Sequence, residues 1–513
     1  MERFITKTWR AISKKDKLRF LFGFLACLIC NLYIYTNGLF AHDGIVLYEE
    51  GTLTGIQNGR PLALLISAIF NGKYASPWVV GFYFSIAMGF TVVFIAKILH
   101  TKHAIWDIVI AGLLVCNYCL YYSQIYVSTL LTYSTAILLT VLGVWFCVKR
   151  TWGNIIVGSL LLIAGLCCYQ SYICLALVLF VIDIILDLQK ADAKIKSTIL
   201  KGLAYIAIAA GVMIIYYGIW QLGLVITAKN ELTYRGYSNI TGSISPLNII
   251  TSWLIGVTMY FKGYLKGMSL WASILITIAS VFVSIIVAYK NKRTKVANFV
   301  LTAILVLIAL PISSAFIYVL NPGIIPPRMC CGILAPSFLL VASVNNLSLK
   351  ASKTKEATKW ITLLLTIILI IGQFSAANAL YLQIDISQKT TYAFASRFMD
   401  RLEQIDGFSN KTEVVVVCDE AIVLYDDAEW SDDIAGMGNM TAGASYLPWF
   451  IKNNMNTNIN INFDWEEKYK NNDVIKQLDC FPKKDFYVWI DNVLVVKIPA
   501  LSSAGMVDNT TDK

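Results

Sequence analysis

Three carboxylates crowd into eight residues near the N-terminus, in His42-Asp43-Gly44 and Tyr48-Glu49-Glu50. A carboxylate at a membrane edge is partly desolvated. Its pKa then rises toward working pH, and it can serve as a general base. Arg60 follows in Gly59-Arg60-Pro61, and its planar guanidinium suits a phosphate. A base with a phosphate clamp beside it suits a lipid-phosphate substrate. The same residues also read as a solvated loop with an ordinary surface ion pair. A second phosphate candidate is Arg328, at the end of Pro322-Gly323-Ile324-Ile325-Pro326-Pro327-Arg328, where three prolines stiffen the chain. The alternative for Arg328 is snorkelling to lipid headgroups.

A third group is Tyr169-Gln170-Ser171-Tyr172. Gln170 can hydrogen-bond sugar hydroxyls, and Tyr169 and Tyr172 can stack on a sugar ring. The alternative is interhelical hydrogen bonding with an aromatic belt. Asn117, Tyr118, Tyr121, Tyr122 and Gln124 form a similar polar and aromatic patch, as do Tyr234, Arg235 and Tyr237 beside Glu231. Arg235 therefore joins the candidate substrate-binding residues.

The elements that must position these groups follow from composition. Of the 513 residues, 57% are hydrophobic and 14% charged. Ordinary globular chains run near 45–50% apolar and about 25% charged. A soluble enzyme, a disordered chain and a nucleic-acid-binding module are thereby excluded. Residues 1–382 carry 30 Lys and Arg against 11 Asp and Glu, whereas residues 383–513 carry 12 against 21. The basic excess belongs to a membrane part and the acidic excess to a soluble tail.

A spanning helix needs roughly 20 mostly apolar residues. Eleven segments qualify, at about 18–40, 77–98, 104–122, 125–147, 153–170, 171–188, 202–226, 268–289, 298–320, 331–347 and 360–382. The apolar run 153–188 is too long for one span and divides at Tyr169-Gln170-Ser171-Tyr172. With the N-terminus inside, 23 basic residues fall on cytoplasmic segments and seven outside, which obeys the positive-inside rule. Every candidate site residue then lies on the external side. The N-terminal apolar run is too long for a cleavable signal and lacks a small-residue cleavage site.

The expected fold is an all-α polytopic membrane protein with a small external C-terminal α/β domain. Residues 1–17 form a basic cytoplasmic N-terminus, 18–382 the transmembrane part with external loops 41–76 and 227–267, and 383–513 the external domain. Pro61–Phe70 is apolar but too short to span, and reads as an interfacial or re-entrant helix. Leu247–Leu265 reads as amphipathic. In the tail, Val414–Val417, Phe486–Ile490 and Val493–Ile498 read as strands, the last two joined at Asp491-Asn492, and Arg397–Ile405 reads as a helix.

Among the remaining charges, Asp183 and Asp187 are expected to pair with Lys190 or Lys194, and Asp107 sits near Lys102 and His103. Most cysteines lie within spans as small apolar side chains. A Cys418–Cys480 disulfide is open but not decided by spacing. No zinc spacing occurs, and the dense acids from Asp419 to Asp433 match no calcium loop. There is also no Walker A loop and no dinucleotide glycine fingerprint. An ATP-driven transporter encoded in this chain alone is therefore not expected.

Asp43, Gly59-Arg60, Thr132-Tyr133, Tyr169-Gln170-Ser171-Tyr172 and Pro327-Arg328, in that order along eleven spans, resemble the bacterial serotype-converting Gtr-type glucosyltransferases that decorate O-antigen. These look like members of the broader GT-C membrane glycosyltransferases. The resemblance covers most of 18–382. It implies a polyprenyl-phosphate-linked sugar donor, usually glucose. The acceptor would be a polysaccharide or lipid-linked glycan on the outer side of the bacterial inner membrane. By that likeness Asp43 is the general base, with Glu49 or Glu50 assisting, and Arg60 and Arg328 hold the donor phosphate. Many GT-C enzymes carry paired acids at the Asp43 position, where this chain has His42 and Gly44 as neighbours. No cofactor is expected, and a divalent metal is optional. A partner flippase would deliver the donor, and the membrane lipids are themselves partners. Two rivals stand beside this reading. A flippase or transporter should show mid-membrane ionisable residues and two broken-helix halves. An O-antigen-type polymerase or ligase should place its large loop between spans.

Overall fold

The structure is a computed structural model that describes residues 12–39, 54–70, 75–190, 193–230, 245–262, 268–291, 296–320, 327–347, 353–425, 446–457, 459–462, 468–469 and 472–502. Asp43, Glu49, Glu50, Glu231 and Arg235 lie outside the described residues, as does the side chain of Cys418.

Helix α1 (Lys14–Asn37) begins at Ser13, whose hydroxyl accepts from the Asp16 N–H at 3.1 Å, and ends at Gly38 with φ +62°. This is an N-cap followed by a left-handed glycine stop. A one-turn helix, Thr54–Gln57, leads to α2 (Pro61–Phe70), the short apolar segment, which is helical. Next come α3 (Pro77–Ile98), α4 (Ala104–Val115), α5 (Tyr118–Ser123), α6 (Val127–Val148) and α7 (Trp152–Cys168). A 3₁₀ turn at Gln170–Tyr172 then opens α8 (Ile173–Leu188), and the expected break at Tyr169–Tyr172 is present. The chain continues through α9 (Ile195–Thr227), α10 (Pro246–Lys262), α11 (Met268–Asn291), α12 (Val296–Ser314), α13 (Ala335–Asn345) and α14 (Lys353–Glu403). A π-helical stretch, Leu305–Ala309, lies within α12 directly before Pro311. There the missing N–H disturbs the ordinary hydrogen-bond ladder.

Among the described residues, eight helices are long and apolar enough to cross a membrane. They are α1, α3, α6, α8 with its 3₁₀ turn, α9, α11, α12 and α14. Each coincides with an expected span. The other three expected spans, at 104–122, 153–170 and 331–347, contain apolar helices of 10–17 residues. Within the bundle, α6 and α7 approach closely through glycine. A Cβ on Gly158 would stand 2.7 Å from the Gly143 carbonyl oxygen. Small residues allow such contact in a bilayer, where apolar burial gives no net drive.

Two charge pairings differ from expectation. Asp107 meets neither Lys102 nor His103. It accepts from Arg19 Nε at 3.1 Å and from the Thr101 hydroxyl, both partners buried. Asp183 pairs with Lys201 and accepts from the Tyr205 hydroxyl at 2.6 Å, while Asp187 bridges Lys190 and Lys201. A buried carboxylate needs a partner inside the bundle, and Lys201 on the facing helix supplies it where Lys194 does not.

Helix α14 runs 51 residues without interruption, so residue 383 falls inside it. At 1.5 Å per residue it is roughly 76 Å long, far more than the ~30 Å of hydrocarbon. Its last part buries Thr391, Phe394, Ala395, Phe398, Met399 and Leu402. This i, i+3, i+4 stripe packs on a four-stranded sheet of order β2-β1-β4-β3, made of β1 (Glu413–Tyr425), β2 (Asn460–Asn462), β3 (Tyr487–Ile490) and β4 (Val493–Ser502). Strand β1 is parallel to β2 and β4, and β3 is antiparallel to β4. Asp491 and Asn492 make the β3–β4 turn with φ of 48° and 64°, as a two-residue hairpin requires.

Candidate functional site

The Gly59-Arg60 motif sits in a tight turn before α2. The Arg60 N–H donates to the Gly55 carbonyl at 2.7 Å and the Gly59 N–H to the Ile56 carbonyl at 3.0 Å. Gly59 has φ +73°, and a Cβ there would stand 2.5 Å from both Gln170 Nε2 and the Tyr216 hydroxyl. Only glycine fits both the left-handed backbone and the space.

Three side chains from distant helices clamp this turn by its carbonyl oxygens. Gln170 Nε2 donates to Asn58 at 2.5 Å, the Tyr216 hydroxyl to Gly59 at 2.8 Å, and Trp220 Nε1 to Ile56 at 2.8 Å. Tyr216 and Trp220 lie one turn apart on α9, and Leu224 continues the same buried stripe. The sequence offers Gln170 either for sugar hydroxyls or for interhelical hydrogen bonding, and its amide nitrogen here holds the backbone of the turn that carries Arg60. Tyr216 and Trp220 carry no distinguishing mark in the sequence, because each reads there as one more aromatic residue in an apolar span.

The Arg60 guanidinium rests over the Tyr169 ring, 4.6 Å from its centroid. Tyr169 packs edge-on against Tyr133 at 4.6 Å and in a tilted arrangement against Tyr172 at 5.1 Å. The Thr132-Tyr133 and Tyr169–Tyr172 motifs therefore form one aromatic cluster joining α6 to the α7–α8 corner. Tyr169 and Tyr172 are fully buried. They line the inside of the corner, and Tyr169 presents its face to Arg60.

Arg328 lies in a 3₁₀ turn, Pro327–Met329. Its Nη1 donates to the Tyr126 hydroxyl at 2.8 Å, and its guanidinium stands 4.3 Å from the Tyr126 ring centroid. The Cys119 thiol donates to the Arg328 carbonyl at 3.0 Å, and the Cys331 thiol to the Ser171 carbonyl at 3.9 Å. The Arg328 turn is thus tied to α5, and Cys331, three residues further on, to the Tyr169–Tyr172 segment. Arg60 meets the α7–α8 corner at Tyr169, and Arg328 meets Tyr126 between α5 and α6. Each lies against a tyrosine ring, a contact worth about 0.5–2 kcal/mol that also limits the guanidinium's orientation.

A family model for glucosyl transferase GtrII matches residues 32–346. The chain belongs to this family. Family membership and the eight apolar helices together make the protein a membrane glycosyltransferase. The GtrII match takes in every candidate site residue, from Asp43 to Arg328, and stops before α14 and the C-terminal sheet. No curated protein matches the chain, and no solved structure does.

Proposed function

We propose that this GtrII-family protein transfers a sugar, glucose by its family, from a polyprenyl-phosphate donor to a surface polysaccharide or lipid-linked glycan on the external side of the bacterial inner membrane. What supports this reading is the GtrII family match together with two guanidiniums, Arg60 and Arg328, each held against a tyrosine ring. Two forks held this way suit a phosphate monoanion or dianion at headgroup level.

In the proposed step the acceptor hydroxyl oxygen attacks the anomeric carbon of the donor. The bond from that carbon to the phosphate oxygen breaks, and lipid phosphate leaves with the bonding pair. Arg60 and Arg328 stabilise the charge that develops on the leaving phosphate. The acceptor proton goes to a carboxylate, which we assign to Asp43, with Glu49 or Glu50 assisting. Arg235 serves as a further donor contact. A lipid-phosphate leaving group stabilised by two arginines leaves a divalent metal optional, and a partner flippase supplies the donor from the cytoplasmic side.

The test is transfer of radiolabel from polyprenyl-phosphate-glucose by the purified protein in detergent, with glycan extract as acceptor, with and without EDTA. Transfer should survive EDTA, vanish in Asp43→Asn, and fall with weaker donor binding in Arg60→Ala and Arg328→Ala. Full activity in Asp43→Asn would remove it from the base role. Donor bound by the wild type but never transferred to any glycan would favour a flippase.

A further inference from the structure

At the end of the bundle opposite Arg60 and Arg328, two lysines share one indole ring. Lys97 lies in the last turn of α3, and Lys149 directly follows the last residue of α6. Lys149 Nζ stands 3.3 Å from the Trp145 ring centroid and Lys97 Nζ 5.5 Å from it. A second ring flanks each ammonium, Phe94 at 5.5 Å from Lys97 Nζ and Phe146 at 4.7 Å from Lys149 Nζ. Phe94 and Trp145 in turn pack on each other at 5.0 Å, joining α3 to α6. Both helices are long and apolar enough to cross a membrane, so their terminal lysines stand at its boundary. Helix α6 covers roughly 33 Å, and Tyr126, which holds Arg328, precedes its other end. The lysine pair is therefore separate from the arginines.

The charges around this ring do not balance. Lys97 pairs with Asp16 at 3.0 Å, yet Asp16 also accepts from Arg19 Nη1 at 3.1 Å. Arg19 reaches Asp107 as well, and Lys15 donates to the Thr101 and Lys102 carbonyls. Lys149 is exposed and meets no carboxylate among the described residues. Partial desolvation, and then the Lys97 charge, pull its pKa below the ordinary lysine value. Four cations, Lys15, Arg19, Lys97 and Lys149, thus stand against two carboxylates, Asp16 and Asp107. The surplus is positive and lies on the Trp145 side. Basic sites between spanning helices at this depth meet the phosphodiesters of anionic lipids. The surface along α3 is also suited to a lipid. Phe90, seven residues before Lys97 and so on the same helix face, is 43% exposed, and Phe82 is 42% exposed. Phe20 and Phe24 of α1 pack on these two rings at 4.8 Å and 5.6 Å. An aromatic track therefore runs from the cation pair toward the middle of the bundle.

We propose that Lys97 and Lys149, held on Trp145, bind an anionic glycerophospholipid, with its phosphodiester on the two ammoniums and an acyl chain along Phe90 and Phe82. The rings place both cations before the headgroup arrives. A zwitterionic phospholipid brings its own cation against the lysines, and free phosphate has no chain to lay on α3. The assignment is independent of the proposed transfer step.

The experiment titrates the full-length protein in detergent with phosphatidylglycerol or phosphatidylcholine and counts bound lipid by native mass spectrometry. Wild type is compared with Lys149→Gln, with the double variant Lys97→Gln, Lys149→Gln, and with Lys196→Gln. Lys196 is an exposed lysine at the same end of the bundle, at the start of α9. Wild type should bind phosphatidylglycerol in preference to phosphatidylcholine. The first phosphatidylglycerol should bind about fivefold more weakly in Lys149→Gln and about 25-fold more weakly in the double variant, the usual effect of one and two basic residues at a charged lipid surface. Lys196→Gln should match wild type. Lys149→Gln breaks no ion pair among the described residues, so it decides the matter alone if the double variant does not fold. Equal affinity of wild type for the two lipids overturns the proposal. So does an equal loss in Lys196→Gln, which would assign binding to the general surface charge. Displacement of the lipid by millimolar inorganic phosphate would make this a site for a free anion and overturn it as well.

Discussion

Gln170 reaches across the bundle to Asn58, 112 positions away, and donates its side-chain amide to the Asn58 carbonyl at 2.5 Å. With Tyr216 and Trp220 it turns an exposed-looking loop motif into a fixed mount for Arg60. Gln170→Leu leaves that carbonyl without its donor, a loss of about 1–3 kcal/mol. Transfer should fall about tenfold or more, and binding of bare polyprenyl phosphate should weaken in parallel. Gln170→Glu, which has no N–H to give, should behave the same way. Loss of transfer with lipid-phosphate binding intact would return Gln170 to a direct sugar contact.

Gly59→Ala tests the same turn from its backbone. The new Cβ meets two side chains at 2.5 Å in a conformation of φ +73°. A strained position of this kind costs of order 1–3 kcal/mol. We expect a protein that still extracts as a monodisperse species but has lost most transfer. Wild-type turnover in Gly59→Ala would show that the turn relaxes without moving Arg60.

The tyrosines behind the arginines should matter through their rings. Tyr169→Phe keeps the face under Arg60 and should retain donor binding. Tyr169→Leu removes it and should weaken binding by about 0.5–2 kcal/mol. Arg60→Lys keeps charge but loses the fork, so isothermal titration should place it between wild type and Arg60→Ala. Identical affinities for the Phe and Leu variants would exclude the ring contact as a determinant.

His100 lies in the connection between α3 and α4, where its surface is exposed but desolvation by the surrounding protein still holds its pKa below the usual histidine value, outweighing the nearby Asp183. A group with a lowered folded pKa is charged more readily in the unfolded chain. Its contribution to stability is therefore whole above the ordinary value near 6.5 and is lost as pH falls toward the folded pKa. Thermal unfolding in detergent should show a midpoint that drops from pH 7 toward pH 5.5. The drop should be smaller in His100→Gln. Equal drops in both proteins would assign the effect to other groups.

Phe481 joins the end of α14 to the sheet, with ring centroids 5.2 Å from Phe394, 5.7 Å from Phe398 and 5.5 Å from Phe486. Phe481→Ala should cost roughly 3–5 kcal/mol of local packing. Limited proteolysis should then cut the C-terminal region faster while the bundle stays intact. An unchanged cleavage rate would mean that other contacts hold the sheet.

The spans and the candidate chemistry were legible because each rests on local composition. A run of about 20 apolar residues answers to bilayer thickness alone, and eight of the eleven expected segments are helices long enough to cross. The Asp491-Asn492 turn was readable because its backbone demands those residue types. Arg60, Arg328 and the Tyr169–Tyr172 break stood out because charge and hydrogen-bonding groups are conspicuous in an apolar chain. What each one touches was not legible. Arg19 with Asp107, Gln170 with Asn58 and Arg328 with Tyr126 join residues 88, 112 and 202 positions apart. No local pattern encodes such a pairing. It exists only once helix packing decides which faces meet. The same holds for α14, where apolar composition ends near 382 and the helix runs on to Glu403, because its Phe394–Leu402 stripe finds a sheet to cover it. The amino-acid order by itself determined a membrane bundle carrying a few chemically able side chains. Tertiary packing decided that each arginine lies against a tyrosine ring, and that the Gln170 amide reaches the Asn58 carbonyl. Burial, not residue type, selects which polar groups must find partners inside the protein.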